Sequence, residues 1–284
     1  MRGRTDTHHK LQRRKLKLIL ESMLILVVMV GLLLIVGLQV FGPGGLWLVL
    51  VMVAVMAYAG VRRGRRVVPE KARYIDRREA PELYALLDDL SARVGLKREP
   101  RFYLLPMNML NAATIDHEPD PIIMITPPSL NFLSRREMRG IIAHELAHLQ
   151  NRDLVLLQLI QIVQIVTHSL AQVAWIMLIL FFPLLFMDET IFPFYLLMLL
   201  FLAPLLSVVL QLAFSKSREY NADLGAVDLT GDPEGLASAL EKIDRVHSFM
   251  NDMFFPFSRK RRETSLFRSH PHIERRVEML RRLD

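Results

Sequence analysis

Residues 134–148 read Ser134-Arg135-Arg136-Glu137-Met138-Arg139-Gly140-Ile141-Ile142-Ala143-His144-Glu145-Leu146-Ala147-His148. Ser134 followed three residues later by Glu137 is a capping box, so a helix is expected to open there and run through His148. Its far end carries H-E-x-x-H. Residues four apart share one helix face, so His144 and His148 can bind one zinc ion while Glu145 reaches the metal-bound water as general base. Zinc brings the pKa of such a water down to roughly 7, which supplies hydroxide near neutral pH. Five-residue patterns also recur by chance in helices that bind no metal. Here the cap, the bracketing apolar residues and a strand shortly upstream argue for chemistry.

Upstream, Pro81 to Val94 carries apolar residues at 83, 86, 87, 90 and 94, a helical period stopped by Gly95. Arg101 to Leu105 and Ile122 to Thr126 read as short strands, joined by a loop that contains Asn111 and Pro119. Far downstream, Asp232-Pro233 opens another helix, with Asp as cap and Pro at its first position.

Immediately after His148 the composition changes. Leu154 to Met187 and Ile191 to Phe214 are apolar blocks parted by Asp188-Glu189-Thr190, and the second holds Pro193 and Pro204. They read as a membrane hairpin, in which neighbouring helices satisfy the groups that proline frees. Near the N-terminus Leu18 to Val40 is a 23-residue apolar run, long enough to cross about 30 Å of hydrocarbon. Leu46 to Val61 follows across Phe41-Gly42-Pro43-Gly44-Gly45 and completes a first hairpin. The run exceeds a signal-peptide core and no small-x-small cleavage pattern follows it, so it is expected to stay as an anchor.

Lys and Arg mark the orientation. Basic residues precede the first apolar run (Arg2, Arg4, Lys10, Arg13, Arg14, Lys15, Lys17). They also follow the second (Arg62, Arg63, Arg65, Arg66) and the fourth (Lys216, Arg218), while neither hairpin tip has any. Both termini and the segment between the hairpins are therefore expected in the cytoplasm, on a cell membrane crossed four times. The net charge of +7 is then a matter of topology, and a nucleic-acid partner is set aside. The chain is 52% hydrophobic and has no cysteine, which excludes disulfides and thiolate ligands.

A catalytic zinc usually keeps three protein ligands and one open position. Glu219 follows the fourth apolar block by five residues, as His148 precedes the third by six. A hairpin returns both to the same membrane face, which makes Glu219 the best third ligand. The alternative is a juxtamembrane glutamate paired with Lys216 or Arg218.

H-E-L-A-H with an early Asn151-Arg152-Asp153, a hairpin, and then Arg218-Glu219-Tyr220-Asn221-Ala222-Asp223 resembles the HtpX family of membrane zinc proteases. That family is distantly similar to the type I CAAX prenyl proteases. The resemblance extends over most of the chain, including Ser269-His270-Pro271. It implies Glu219 as third ligand and Asp223 as the group that orients a zinc-bound histidine. It implies that His270 and Arg276 stabilise the tetrahedral intermediate; without it, Arg276 among Arg275, Arg281 and Arg282 would read as a solvated helix face. Asn111-Ala112-Ala113-Thr114 is similar to the family's Asn-Ala segment beside the cleft, shortened by one residue and lacking the usual aromatic. Asn111 would either donate to a substrate carbonyl or order a turn. Ile123, Met124 and Ile125 are expected at the cleft edge, where an extended peptide adds as a strand.

The expected architecture is mostly α with a small β-sheet. It comprises a basic cytoplasmic tail (1–17), a transmembrane hairpin (18–61), a gluzincin-like zinc-protease domain in two parts (67–153 and 215–284), and between them a second transmembrane hairpin (154–214). One zinc is expected per chain. The expected partners are the lipid bilayer and membrane-protein or unfolded polypeptide substrates. A CAAX-type processing protease is the second enzyme reading, disfavoured because four spans are few for an enclosed chamber. A channel or scaffold is disfavoured by the intact Glu145. In the third apolar block Gln158, Gln161, Gln164, His168 and Gln172 fall on one face; they either pack between helices or line a wet entry for substrate.

Overall fold

The computed structural model describes residues 2–64, 68–96, 98–115, 120–151, 153–181, 194–254 and 273–283. His270, the Asp188 turn and Pro119 lie outside the described residues. Two compact units divide the chain: residues 1–19, 64–154 and 216–284 form one, and 20–63 with 155–215 the other.

The first unit is built on a four-stranded sheet, β1 (Arg73–Tyr74), β2 (Arg101–Leu104), β3 (Ala112–Ile115) and β4 (Ile122–Ile125), in the order β1-β2-β4-β3. β4 is parallel to β2, with Arg101 opposite Ile122, and antiparallel to β3, with Thr114 opposite Ile123. The run Ile122-Ile123-Met124-Ile125 is apolar throughout because this strand is buried throughout. The assignment of Ile123, Met124 and Ile125 to an exposed cleft edge is therefore corrected: partners occupy both sides of β4, and among the described strands the edge beyond it is β3.

Helix α3 (Pro81–Val94) lays Leu83, Leu86, Leu87 and Leu90 into the core and stops at Gly95, whose φ of 68° is left-handed. After α4 (Pro127–Phe132), helix α5 (Arg135–Gln150) opens on the expected capping box. Glu137 N donates to Ser134 Oγ at 3.3 Å and Ser134 N donates to Glu137 Oε2 at 2.8 Å. Glu137 also accepts from Ser238 Oγ at 2.6 Å and Lys242 Nζ at 2.7 Å, both on α8 (Pro233–Phe254). Asp232 caps α8 as the sequence predicts, accepting from Gly235 N at 3.0 Å. The core beneath gathers Phe102, Ile123, Ile125, Ile142, Leu146, Leu224, Leu236 and Leu280. Each such side chain contributes about 1.5–3 kcal/mol on burial.

The helices extend past the sequence-predicted limits. The first, α1, runs Arg2–Phe41 and so includes the stretch expected as a tail. Lys, Arg, Gln and Leu are good helix formers, so the charged start does not interrupt it. Next come α2 (Pro43–Gly64), α6 (Asp153–Phe181) and α7 (Phe194–Thr230), the last carrying Pro204 inside it. Within the second unit Met29, Leu33, Val36, Val49, Ile160, Val163, Val166 and Phe214 make a separate apolar cluster. Among the described residues, one helical stretch, Lys15–Gln39, is long and apolar enough to cross a membrane, and Pro43–Val55 and Leu159–Ser169 are shorter apolar stretches. Within the α6 stripe His168 and Gln172 are exposed and 3.4 Å apart.

Candidate metal centre

Two helices of the first unit carry the cluster, and small residues decide how closely they approach. A Cβ placed on Gly225 of α7 would come within 2.7 Å of the Ala147 Cβ on α5. Only glycine allows that contact without displacement. The pair lies beside His148 in one helix and two residues past Asp223 in the other. Gly140, two turns earlier on α5, permits a second close approach, since a Cβ there would meet the Leu236 backbone at 2.9 Å.

His144, His148 and Glu219 each point one donor atom at a common centre, all within 4.8 Å of one another. The two imidazole Nε2 atoms are 3.1 Å apart. Glu219 Oε2 lies 3.6 Å from His144 Nε2, and Oε1 lies 3.7 Å from His148 Nε2. Ligands at tetrahedral zinc, about 2.0–2.1 Å from the metal, would stand roughly 3.3 Å from one another. The observed spacings bracket that value, and a two-nitrogen, one-oxygen set suits zinc.

Asp223 sits one turn beyond Glu219 and is fully buried. Its Oδ1 lies 3.0 Å from His144 Nδ1, an ion-pair distance with the N–H off the ideal hydrogen-bond line. Arg276 of α9 (Ile273–Arg281) completes the group. It donates from Nε and Nη2 to the two Asp223 oxygens, each at 2.7 Å, and its Nη1 lies 2.8 Å from Glu219 Oε2. Arg276 is only 3% exposed, so the solvated-face reading of this arginine is overturned: two buried carboxylates draw it inward.

The electrostatics favour a cation. Burial alone would lower the His144 pKa, but the adjacent carboxylates of Asp223 and then Glu219 outweigh it and raise it to about 9. Burial and the neighbouring His144 push His148 down to about 4. Burial would raise the Asp223 pKa, yet Arg276 and His144 hold it below the usual carboxylate range.

Glu145 lies between the two histidines on α5 and is 8% exposed. Thr114 Oγ1, on β3, donates to Glu145 Oε2 at 2.6 Å. Sequence reasoning quoted Thr114 within the Asn-Ala segment but gave it no role. Its β-branched hydroxyl on a strand ahead of the helix was the available signal. The Asn111 backbone is tied into a turn: its N–H donates to Ser129 Oγ at 2.9 Å and Thr126 Oγ1 at 3.1 Å, and its carbonyl accepts from Ser129 Oγ at 2.8 Å. The Asn111 side chain is exposed.

Residues 77–284 match Peptidase family M48. The Protease HtpX homolog of Desulfatibacillum aliphaticivorans is 30% identical over 278 residues, covering 92% of this chain and 88% of that protein. The Protease HtpX homolog of Thermococcus kodakarensis is 30% identical over 287 residues, covering 93% and 95%. Among solved structures, the S. mikatae Ste24p crystal structure is similar in fold, with a TM-score of 0.51 at 17% identity. The likeness covers 94% of this chain and 66% of that one.

Proposed function

Because the chain belongs to peptidase family M48, among its HtpX-type members, and is a metalloprotease, we propose that it is a zinc endopeptidase acting on membrane or membrane-proximal polypeptides, misfolded ones above all. The observation that carries this reading is the convergence of His144, His148 and Glu219 on one point, with Glu145 on the same helix.

When bound, zinc would lower the pKa of its water to roughly 7 and polarise the scissile carbonyl. Glu145 acts as general base. With Thr114 donating to Oε2, Oε1 remains to take the proton and later to pass it to the leaving amine. Asp223 holds the His144 proton on Nδ1, which leaves the Nε2 lone pair for the point that His144 shares with His148 and Glu219. Arg276 keeps Asp223 ionised and steadies Glu219 through its third nitrogen. Since all three of those nitrogens are engaged, Arg276 is a positioning residue rather than the group that meets the oxyanion. His270 is the residue that the HtpX resemblance leaves for that task.

Substrate would add to the outer edge of β3, Ala112–Ile115, pairing through its main chain beside Thr114. Main-chain pairing tolerates many side chains and suits unfolded segments. The apolar Lys15–Gln39 stretch and the placement of Lys and Arg support an integral membrane enzyme with four spans and its active site in the cytoplasm. The test is incubation of detergent-purified, metal-stripped protein with casein before and after zinc is returned. Fragments only after zinc is added support the reading; none in either case contradicts it.

A further inference from the structure

Beside the segment of α7 that carries Glu219 lies a cleft of about 330 Å³, lined by Lys17, Leu18, Tyr220, Leu224, Arg275 and Met279. Its walls are the turn of α1 at Lys17 and Leu18, the length of α9 with Arg282 just beyond it, and the segment of α7 that follows Glu219. The helices are joined there: Ser217 Oγ donates to the Leu18 carbonyl at 3.1 Å, and Lys15 Nζ pairs with Asp228 at 2.8 Å. Three cations face one carboxylate, Glu278, which Arg282 engages at 2.5 Å. Between the charged rims the surface is apolar, made by Leu18, Leu224 and Met279.

We propose that this cleft binds an anionic phospholipid, its phosphate between Lys17, Arg275 and Arg282 and the first part of its acyl chains on Leu18, Leu224 and Met279. Two features choose a lipid over a soluble anion. A free phosphate has no use for the apolar floor. Lys17 and Leu18 also stand where α1 enters the apolar stretch Lys15–Gln39, the level at which headgroups meet basic side chains if that stretch spans a bilayer. In this the inference rests on the membrane placement proposed above. The lining has a consequence for the enzyme, because three of the wall residues adjoin site residues in the chain: Tyr220 follows Glu219, Leu224 follows Asp223, and Arg275 precedes Arg276. A lipid seated there braces α7 and α9 from behind and stabilises the arrangement that holds the metal.

The experiment follows the thermal midpoint of the full-length protein in neutral detergent during titration with dioctanoyl phosphatidylglycerol. Dioctanoyl phosphatidylcholine and inorganic phosphate are the parallel arms. A saturable rise with phosphatidylglycerol is expected, with neither control reproducing it. Arg282→Gln should weaken the apparent affinity about fivefold, and Arg275→Gln/Arg282→Gln about 25-fold. An equal response to phosphatidylcholine or to phosphate overturns the lipid assignment, as does unchanged affinity in Arg282→Gln, an exposed residue whose loss leaves the fold intact. Binding is read without turnover. Failure of casein cleavage with lipid binding intact therefore counts against the protease mechanism alone, and the converse result against the lipid site alone.

Discussion

Arg276 holds both carboxylate oxygens of Asp223 at 2.7 Å while its remaining terminal nitrogen reaches Glu219 at 2.8 Å. One guanidinium thereby couples the group proposed to orient His144 to the proposed third ligand. Only a planar fork can make both bonds to Asp223 at once. Arg276→Ala would strand a fully buried aspartate, at a cost on the order of 3–5 kcal/mol, and zinc affinity is expected to fall about 10–100-fold. Arg276→Lys should recover part of the stability and little of the affinity. Zinc titration against a chromophoric chelator, alongside heat denaturation, separates the two. A lysine variant equal to wild type in both would show that the fork is unnecessary.

The close contact of Gly225 with Ala147 sets the spacing of α5 and α7. Gly225→Ala places two Cβ atoms 2.7 Å apart, so the helices must separate and zinc content should drop. Exchanging the pair, as Ala147→Gly/Gly225→Ala, removes the clash at about 1 kcal/mol for the new helical glycine, and zinc content should return. Loss in the single variant without recovery in the exchange would place the effect elsewhere.

Glu137 links the start of α5 to α8 away from the metal. Burial would raise its pKa, but hydrogen bonds from Lys242, Ser238 and Ser134 outweigh this and lower it to about 2 from 4.5. Because the folded value is the lower one, this stabilisation is complete above about pH 4.5. It drains away as pH falls toward 2, and is worth on the order of 3 kcal/mol. Glu137→Gln should therefore be less stable at pH 7 and lose less on acidification than wild type. Parallel pH-stability curves for the two proteins would contradict the assignment.

The proposed topology puts the protease unit in the cytoplasm and the Pro43 turn outside. The chain has no cysteine, so single cysteines report without background. Gly44→Cys, where a side chain meets nothing within 4 Å, should react with an impermeant thiol reagent in intact cells. Glu82→Cys, on the exposed face of α3, should react only after the cells are opened. The reverse pattern would place the metal centre outside.

How far the sequence could be read depended on whether a feature was local. The Ser134 cap, the Asp232-Pro233 start, the Gly95 stop and the spacing of His144 and His148 are set by residues within one turn of each other, and all could be read directly. β3 could not. Ala112-Ala113 has little strand propensity and is ordered by pairing with β4. Missing it made β4 look like the edge. Arg276 was illegible from its own segment for a related reason: among three arginines in a short helix, only the carboxylates of a distant segment decide which one turns inward. Thr114 and Gly225 likewise acquire meaning from partners 31 residues away in one case and on another helix in the other.

Replacement of Glu145 by glutamine separates metal binding from proton transfer most directly. The variant leaves His144, His148 and Glu219 in place and keeps an acceptor for Thr114. It is measured for zinc content by elemental analysis and for cleavage of casein in the same preparation. The expected result is about one zinc per chain with turnover reduced at least 10²-fold. Retention of cleavage at wild-type rate would remove Glu145 from the chemistry, and loss of zinc together with cleavage would make it a metal ligand, either of which contradicts the mechanism.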